Sequence, residues 1–431
     1  MTYEGAPGRT AGQYRYYICL IIFLSYILVY FHRLCPAVIA LDMQADLGAS
    51  TTLLGVLSSA YFYSYALMQL PTGLLADSWG PRRTVALSLL IAALGSILMG
   101  MASTLTMAIT GRVLVGLGVS TVYVCNFKLL AEWFSPRRFV LMGGIFMAMG
   151  GVGALISTTP LALLSNMLGW RTSLIAVGSV TFFIAVAVYL IVRNRPEEMG
   201  LPPIRPAREA PEPVSIPLLA GIKRVLTYRP FWAIALWSVF APGLSFAVGG
   251  LWGGPYLMQV YGLSKTEAGG VLSMFAVALI VGSPVMSVAA NRLGRKPALL
   301  GCSVLLVAVC IVFALRPGGL PMPLLYLLFI LITLPGASGS VAAAASKELF
   351  PLSIAGTAVG LLNLFPFFGG ALYQVAIGGI LSWAQQGGHY TPVEGYRFMF
   401  YFALASAVLS LVTAYLLTET LKKETAGALE D

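Results

Sequence analysis

Three cations stand inside long apolar stretches of this 431-residue chain: Arg33, beside His32 in LVYFHRLCP; Arg112, in GRVLVGLG; and Lys128, in NFKLLAEWF. A cation near the middle of a spanning helix costs about 2.5–3.5 kcal/mol on insertion scales, so each needs a partner. None of the sixteen acidic residues falls at mid-depth: Asp42, Asp46, Glu132, Glu267 and Glu348, among others, lie in loops or last helical turns. A cation without a protein anion is tolerated where it faces water and a solute brings the negative charge. The planar fork of Arg33 suits a carboxylate or phosphate in that role. The alternative is that Arg33 and Lys128 snorkel to the headgroups. Histidine is the side-chain type that ordinarily titrates near neutral pH, and His32 is the one placed within a span, whereas His389 falls in the last outer loop. As a lone membrane histidine, His32 reads either as a proton site or as a hydrogen-bonded packing residue.

Other polar and aromatic residues share spacing that could line a cavity. Tyr61, Tyr65 and Gln69 recur every four residues, forming one stripe of a helix. In GLWGGPYL (250–257), the glycines and Pro255 allow a bend that exposes backbone, so Trp252 and Tyr256 are expected to line or cap a site. Asn363, Pro366 and Gln374, with the small-residue run PGASGS (335–340), suit closely packed gating helices.

The elements holding these residues follow from composition. The chain is 58% hydrophobic and 10% charged, against about 25% charged in a soluble domain. Its mean hydropathy is +0.86. Hydropathy places spans near 16–40, 52–75, 84–103, 105–131, 139–163, 171–192, 230–257, 268–289, 298–315, 321–344, 353–382 and 396–418. The polar first residues lead directly into a full-length span, unlike a cleaved signal peptide. Nineteen of the 26 Lys and Arg fall in segments on the side of the N-terminus, and four in segments on the other side. That asymmetry predicts both termini in the cytoplasm, and it makes the net charge of +10 a membrane feature rather than a nucleic-acid one. The five cysteines lie scattered within spans without metal-ligand spacing.

The chain repeats its own punctuation. AEWFSP (131–136) is echoed by KELFPL (347–352), GWR (169–171) by GYR (395–397), and GLLADSWGPRR (73–83) by SVAANRLGRKP (287–297). The Pro-rich, charged stretch 194–228 is the expected linker between a six-helix bundle at 1–193 and another at 229–431. Duplications of this kind build transporters with a solute site between the halves.

Gly73-x-Leu75-Ala76-Asp77-x-x-Gly80-x-Arg82-Arg83 is similar to the loop signature of the major facilitator superfamily, and GRVLVGLG resembles that family's second signature. The resemblance covers the whole chain. It implies an all-α membrane protein of twelve transmembrane helices in two pseudo-symmetric six-helix bundles. It further implies a gate in which Asp77 pairs with Arg83 and faces the positive end of span eleven, with Gly73, Gly80 and Arg82 shaping the loop. Asn291 and Arg295 stand in the second copy, and Arg112 bonds backbone carbonyls of a neighbouring helix. YFHRLCPAVIALDMQADLGAS looks like the first span of the anion:cation symporter and organophosphate antiporter branches, which carry an arginine at Arg33 for anionic substrates; Lys128 matches a basic residue there. Symporters of sugar acids place a proton-carrying glutamate seven residues after the span-four arginine, where this chain has Val119.

The function expected is alternating-access transport of a small organic anion: a carboxylate, sugar acid or phosphorylated metabolite. The alternatives are a multidrug or lipophilic-solute exporter and a transporter-like solute sensor. The expected substrate-binding set is Arg33, His32, Lys128, Tyr61, Tyr65, Gln69, Trp252, Tyr256 and Asn363. The gating set is Asp77, Gly73, Gly80, Arg82, Arg83, Arg112, Asn291 and Arg295. No enzyme activity, cofactor, metal or nucleic acid is expected. The expected partners are the solute, the bilayer and, through His32, protons, for a monomer in a bacterial inner membrane.

Overall fold

The computed structural model describes residues 9–201, 218–386 and 388–421, and no strand occurs among them. Among the described residues, ten helices are long and apolar enough to cross a bilayer. With Thr51–Ser78 and Pro136–Ile156 the spans number twelve, so this is a multi-pass membrane protein.

Span one comprises Arg9–Leu34 and Pro36–Leu47, span two Thr51–Ser78, span three Pro81–Gly100, and span four Leu105–Val119 with Val122–Trp133. Span five begins with Pro136–Ile156, turns at 157–158 and continues into Thr159–Ile191. Gly169, at φ +78°, breaks that last helix, and span six follows it. In the second half, span seven runs Arg229–Ala247, a π turn Val248–Trp252, then Gly253–Tyr261. Span eight includes Lys265–Leu272 and Ser283–Leu293, span nine is Arg295–Leu315, and span ten is Met322–Ala337 with Gly339–Glu348. Span eleven is Leu352–Leu362 with Leu364–Gln385, and span twelve is Pro392–Tyr415. Residues 202–217 of the expected linker lie outside the described residues, while Leu218–Thr227 is a helix against the start of span eleven.

Turns near 79–80, 134–135, 294 and 349–351 share one end of the bundle with both described chain ends; this is the terminal end. The turns near 48–50, 101–104, 169, 262–264, 316–321 and 388–391 form the distal end. Caps fix several of them. Ser50 and Thr104 accept the Leu53 and Met107 N–H groups, and Ser264 and Thr391 form capping boxes with Glu267 and Glu394.

The repeat has a backbone counterpart. Gly80, at φ +81°, and Gly294, at φ +116°, each precede the helix after a signature loop, in a region side-chain-bearing residues rarely adopt. The GWR/GYR echo diverges: Gly169 interrupts its helix, whereas Gly395 lies inside span twelve, which Thr391 has already capped.

Close approach needs small residues. A Cβ on Gly116 would overlap the Tyr61 carbonyl and Ser64 Oγ, so this glycine of GRVLVGLG lets span four pack on span two. Between the bundles, span two runs along span eleven, span one meets span seven, and span five meets span eight.

Candidate functional site

Span one breaks where the first cation lies. Pro36 has no N–H, so the carbonyl of His32, four residues earlier, lacks its helical donor. Arg112 supplies it from span four: its guanidinium donates to the His32 carbonyl at 2.5 Å and to the Arg33 carbonyl at 3.3 Å. Arg112 is wholly buried and stacks over the Tyr61 ring at 4.6 Å. It is a structural tie between spans one and four.

With its backbone held in this way, Arg33 points into the seam between the bundles. The guanidinium lies 4.4 Å from the centre of the Tyr30 ring, 4.9 Å from Phe367, 5.1 Å from Tyr65 and 5.6 Å from Phe246. Two of these rings belong to each bundle. Phe246 and Phe367 stack nearly parallel, and Phe367 packs on Tyr65 at 4.2 Å. The π faces offset part of the cost of burying the cation, at about 0.5–2 kcal/mol each. They cannot replace hydrogen bonds, and Arg33 Nε is buried with no partner. No carboxylate pairs with Arg33 among the described residues.

The other expected site residues divide. Tyr65 joins Arg33. Gln69 meets the second bundle directly: Asn363 Nδ2 donates to its Oε1 at 2.7 Å. Tyr61 lies under Arg112, its hydroxyl 3.5 Å from the Val29 carbonyl, and its ring stacks on Tyr65 with centroids 5.8 Å apart.

Three expectations are corrected. His32 does not face the seam; its Nε2 lies 3.2 Å from Thr181 Oγ1 of span six, because adjacent helical residues point about 100° apart. Lys128 does not join Arg33. Its ammonium bonds the Asp77 carboxylate at 2.6 Å and the Ala76 carbonyl at 3.1 Å, near the terminal end. A carboxylate within reach neutralises the lysine without any solute. Tyr256 is core rather than wall: its hydroxyl donates to the Pro317 carbonyl, and Phe313, Tyr396 and Phe400 surround its ring. Trp252 is equally buried and donates its indole N–H to the Gln374 carbonyl at 3.0 Å, joining spans seven and eleven.

The signature loop is arranged differently from expectation as well. Asp77 pairs with Lys128, not Arg83. Arg82 donates to the Tyr189 carbonyl at 2.9 and 2.6 Å, and Asn194 accepts the Arg82 backbone N–H. Arg83 borders a shallow groove beside Trp79 and Tyr189. Nothing lies within 4 Å of where a Cβ on Gly73 would stand. In the second copy, Arg295 bonds Asn291 Oδ1 at 2.6 Å and pairs with Glu348 at 3.0 Å. Each copy therefore ties its loop region to the last turns of span four or span ten, with the charges exchanged.

The distal end is tied shut between bundles. Lys265 pairs with Asp42 and donates to Ser165 at 3.2 Å. Thr51 donates to Gln385 Oε1 at 2.7 Å, and a Cβ on Gly254 would overlap the Ala37 carbonyl. Within the first bundle, Asp46 accepts from the Trp170 indole and from Arg171. Those two donors hold its carboxyl below the ordinary range.

Tyr30, Phe246 and Phe367 carry no sequence signal, since an aromatic residue in an apolar span is unremarkable until a cation lies beneath it. Asp42 and Lys265 are visible only as loop charges of opposite sign.

Two helical bundles facing each other across a seam with a buried, incompletely bonded arginine make up a polytopic membrane carrier. Residues 18–264 and 243–431 match the model described as "Major Facilitator Superfamily", and the chain belongs to that family. It is 30% identical to a probable L-galactonate transporter of Escherichia coli (strain K12) over 176 residues, 41% of this chain and 39% of that one. It is 23% identical to a probable hexose phosphate transport protein of Chlamydia pneumoniae over 93% of this chain and 91% of that protein. Its fold is similar to that of a bacterial homologue of the human lysosomal transporter Spinster, solved inward-facing and unoccupied. The TM-score is 0.76 at 17% identity, covering 94% of this chain and 98% of that one.

Proposed function

We propose that this protein is a secondary active transporter that carries a small organic anion across the membrane by alternating access. The observation that supports it above all is Arg33: a permanently charged fork at the seam, walled by both bundles, with a buried Nε that no protein group satisfies. An anion placed there would supply both missing charge and missing acceptors. Galactonate and hexose phosphates, the solutes in the names of the two relatives, are anions rich in hydroxyl groups. A cation exporter would want an embedded carboxylate; among the described residues none pairs with Arg33, and Asp42, at the distal end of the seam, is taken by Lys265.

In this reading the halves are 1–193 and 229–431, joined by 194–228, in a monomer of a bacterial inner membrane. Because basic residues gather at the terminal end, that end is cytoplasmic and the Asp42–Lys265 tie closes the outer face. His32 faces Thr181, so coupling does not run through it. Arg112 holds the broken span one, and the Asp77–Lys128 and Arg295–Asn291–Glu348 clusters rearrange as the cytoplasmic face opens and closes.

Purified protein in liposomes tests the proposal. Labelled galactonate or hexose phosphate should undergo counterflow, and Arg33→Gln should abolish it. Counterflow of a lipophilic cation instead, indifferent to Arg33→Gln and to competing anions, would favour the exporter alternative.

A further inference from the structure

The seam holds unmet polar groups besides Arg33. Among the described residues, Ser58 Oγ and both carboxamide atoms of Gln374 are buried without a hydrogen-bond partner, and both residues are fully shielded from solvent. A buried polar group left unpaired is costly, and buried side-chain amides are ordinarily bonded. Gln374 has no packing reason to be polar. Its backbone carbonyl, not its carboxamide, takes the Trp252 indole N–H and lies against Gly55 of span two.

Its position is informative. The side chain reaches the notch left by Gly250 in the π turn of span seven. From the point where a Cβ on Gly250 would stand, Gln374 Nε2 is 3.3 Å away, the Phe62 ring 3.5 Å and the Arg33 carbonyl 3.7 Å. Gln374 Nε2, a donor of the second bundle, therefore borders the same notch as the backbone carbonyl of the residue whose guanidinium has no anion. Ser58 stands on span two, one turn from both Gly55, which touches Gln374, and Phe62, which borders the same notch. The layer thus offers a fixed cation, a carboxamide and a hydroxyl, the last two able to donate and accept.

We infer that Gln374, with Ser58, is the subsite that reads the hydroxyl groups of the transported anion while Arg33 holds its charged head. This inference rests on the anion reading of Arg33 and narrows it from any small anion to a hydroxylated one. The two groups go unmet while the distal seam is closed, and they pair with solute alcohols when the seam parts around a bound molecule. A site built to bond a hydroxyl discriminates strongly against the analogue lacking it, because its own polar groups are then left bare.

Calorimetric binding to the full-length protein, with two matched solute pairs, tests this. The pairs are gluconate against hexanoate, and glycerol 3-phosphate against propyl phosphate; each pair shares head group and chain length and differs in hydroxyls. Wild type should prefer the hydroxylated member of at least one pair. In Gln374→Leu that preference should shrink by about 5- to 150-fold, the loss of two neutral hydrogen bonds, with affinity for the plain member unchanged. Ser58→Ala should shrink it by about 2- to 12-fold. Arg33→Gln should weaken both members equally. The melting temperature of ligand-free Gln374→Leu should match or exceed wild type, since the carboxamide contributes nothing in the closed seam; Gln374→Met serves if the leucine variant does not fold. A preference that survives in Gln374→Leu, or equal binding of both members by wild type, overturns the subsite and leaves the anion reading intact. Failure of wild type to bind any of the four overturns both.

Discussion

The distal tie between Asp42 and Lys265 should set how much of the population is closed at that end, because its two residues come from different bundles. Lys265 is 16% exposed and Asp42 33%, so the pair is better shielded than a surface bridge yet not dry. A charge-assisted hydrogen bond of about 1.5–3 kcal/mol, discounted for that partial exposure, leaves about 1–2 kcal/mol. At that strength, Asp42→Asn or Lys265→Gln should lower the closed-to-open ratio at the distal end by about 5- to 30-fold. The assay is alkylation of Thr51→Cys, at the seam opposite Gln385, by a membrane-impermeant maleimide. The five native cysteines are buried and leave a low background. Labelling should accelerate in each single variant, and the double variant should be no faster than the faster single, since one bond cannot be lost twice. Rates that match the parent, or single effects that simply add, would refute the claim that this pair holds the seam.

Gly254→Val should prevent distal closure altogether, because its side chain would occupy the place of the Ala37 carbonyl; Thr51→Cys should then label rapidly even with the ion pair intact, and slow labelling would show that the bundles meet elsewhere. Arg112→Leu should destabilise the protein by about 1–3 kcal/mol by leaving the His32 carbonyl with only the weak Cys35 thiol at 3.6 Å. In a Pro36→Ala background, where residue 36 regains its N–H, the melting-temperature loss should be visibly smaller; an equal loss in both backgrounds would separate Arg112 from the helix break. The Asp46 tie to Trp170 and Arg171 depresses that carboxyl, so it contributes fully above the ordinary carboxylate range and fades as pH falls through the lowered value. Melting curves of wild type and Asp46→Asn should therefore differ at neutral pH and converge in acid.

Span number, the duplicated loops and the lack of a protein anion for Arg33 were legible in the sequence because each leaves a linear mark: hydropathy, repeated glycine and charge spacing, a cation without a neighbour. What surrounds Arg33 was not, since Tyr30, Tyr65, Phe246 and Phe367 come from four spans and look individually like ordinary apolar filling. Lys128 was misplaced for a related reason. Its depth in the sequence resembles that of Arg33, but a long side chain reaches Asp77, 51 residues away, and hydropathy does not register such reach. His32 and Arg33 show the limit most simply: neighbours in sequence, they point into different neighbourhoods of the fold.

The most direct test of the account is anion binding to purified wild type, Arg33→Lys and Arg33→Gln at one pH and one salt concentration. The seam predicts a graded loss. Arg33→Lys keeps the charge but not the fork and should bind more weakly than wild type, and Arg33→Gln should be weaker by about 10- to 150-fold, as one charge-assisted hydrogen bond requires. Equal affinity in wild type and Arg33→Gln, with both proteins folded, would mean that the caged arginine serves only to join the bundles and that the solute binds elsewhere.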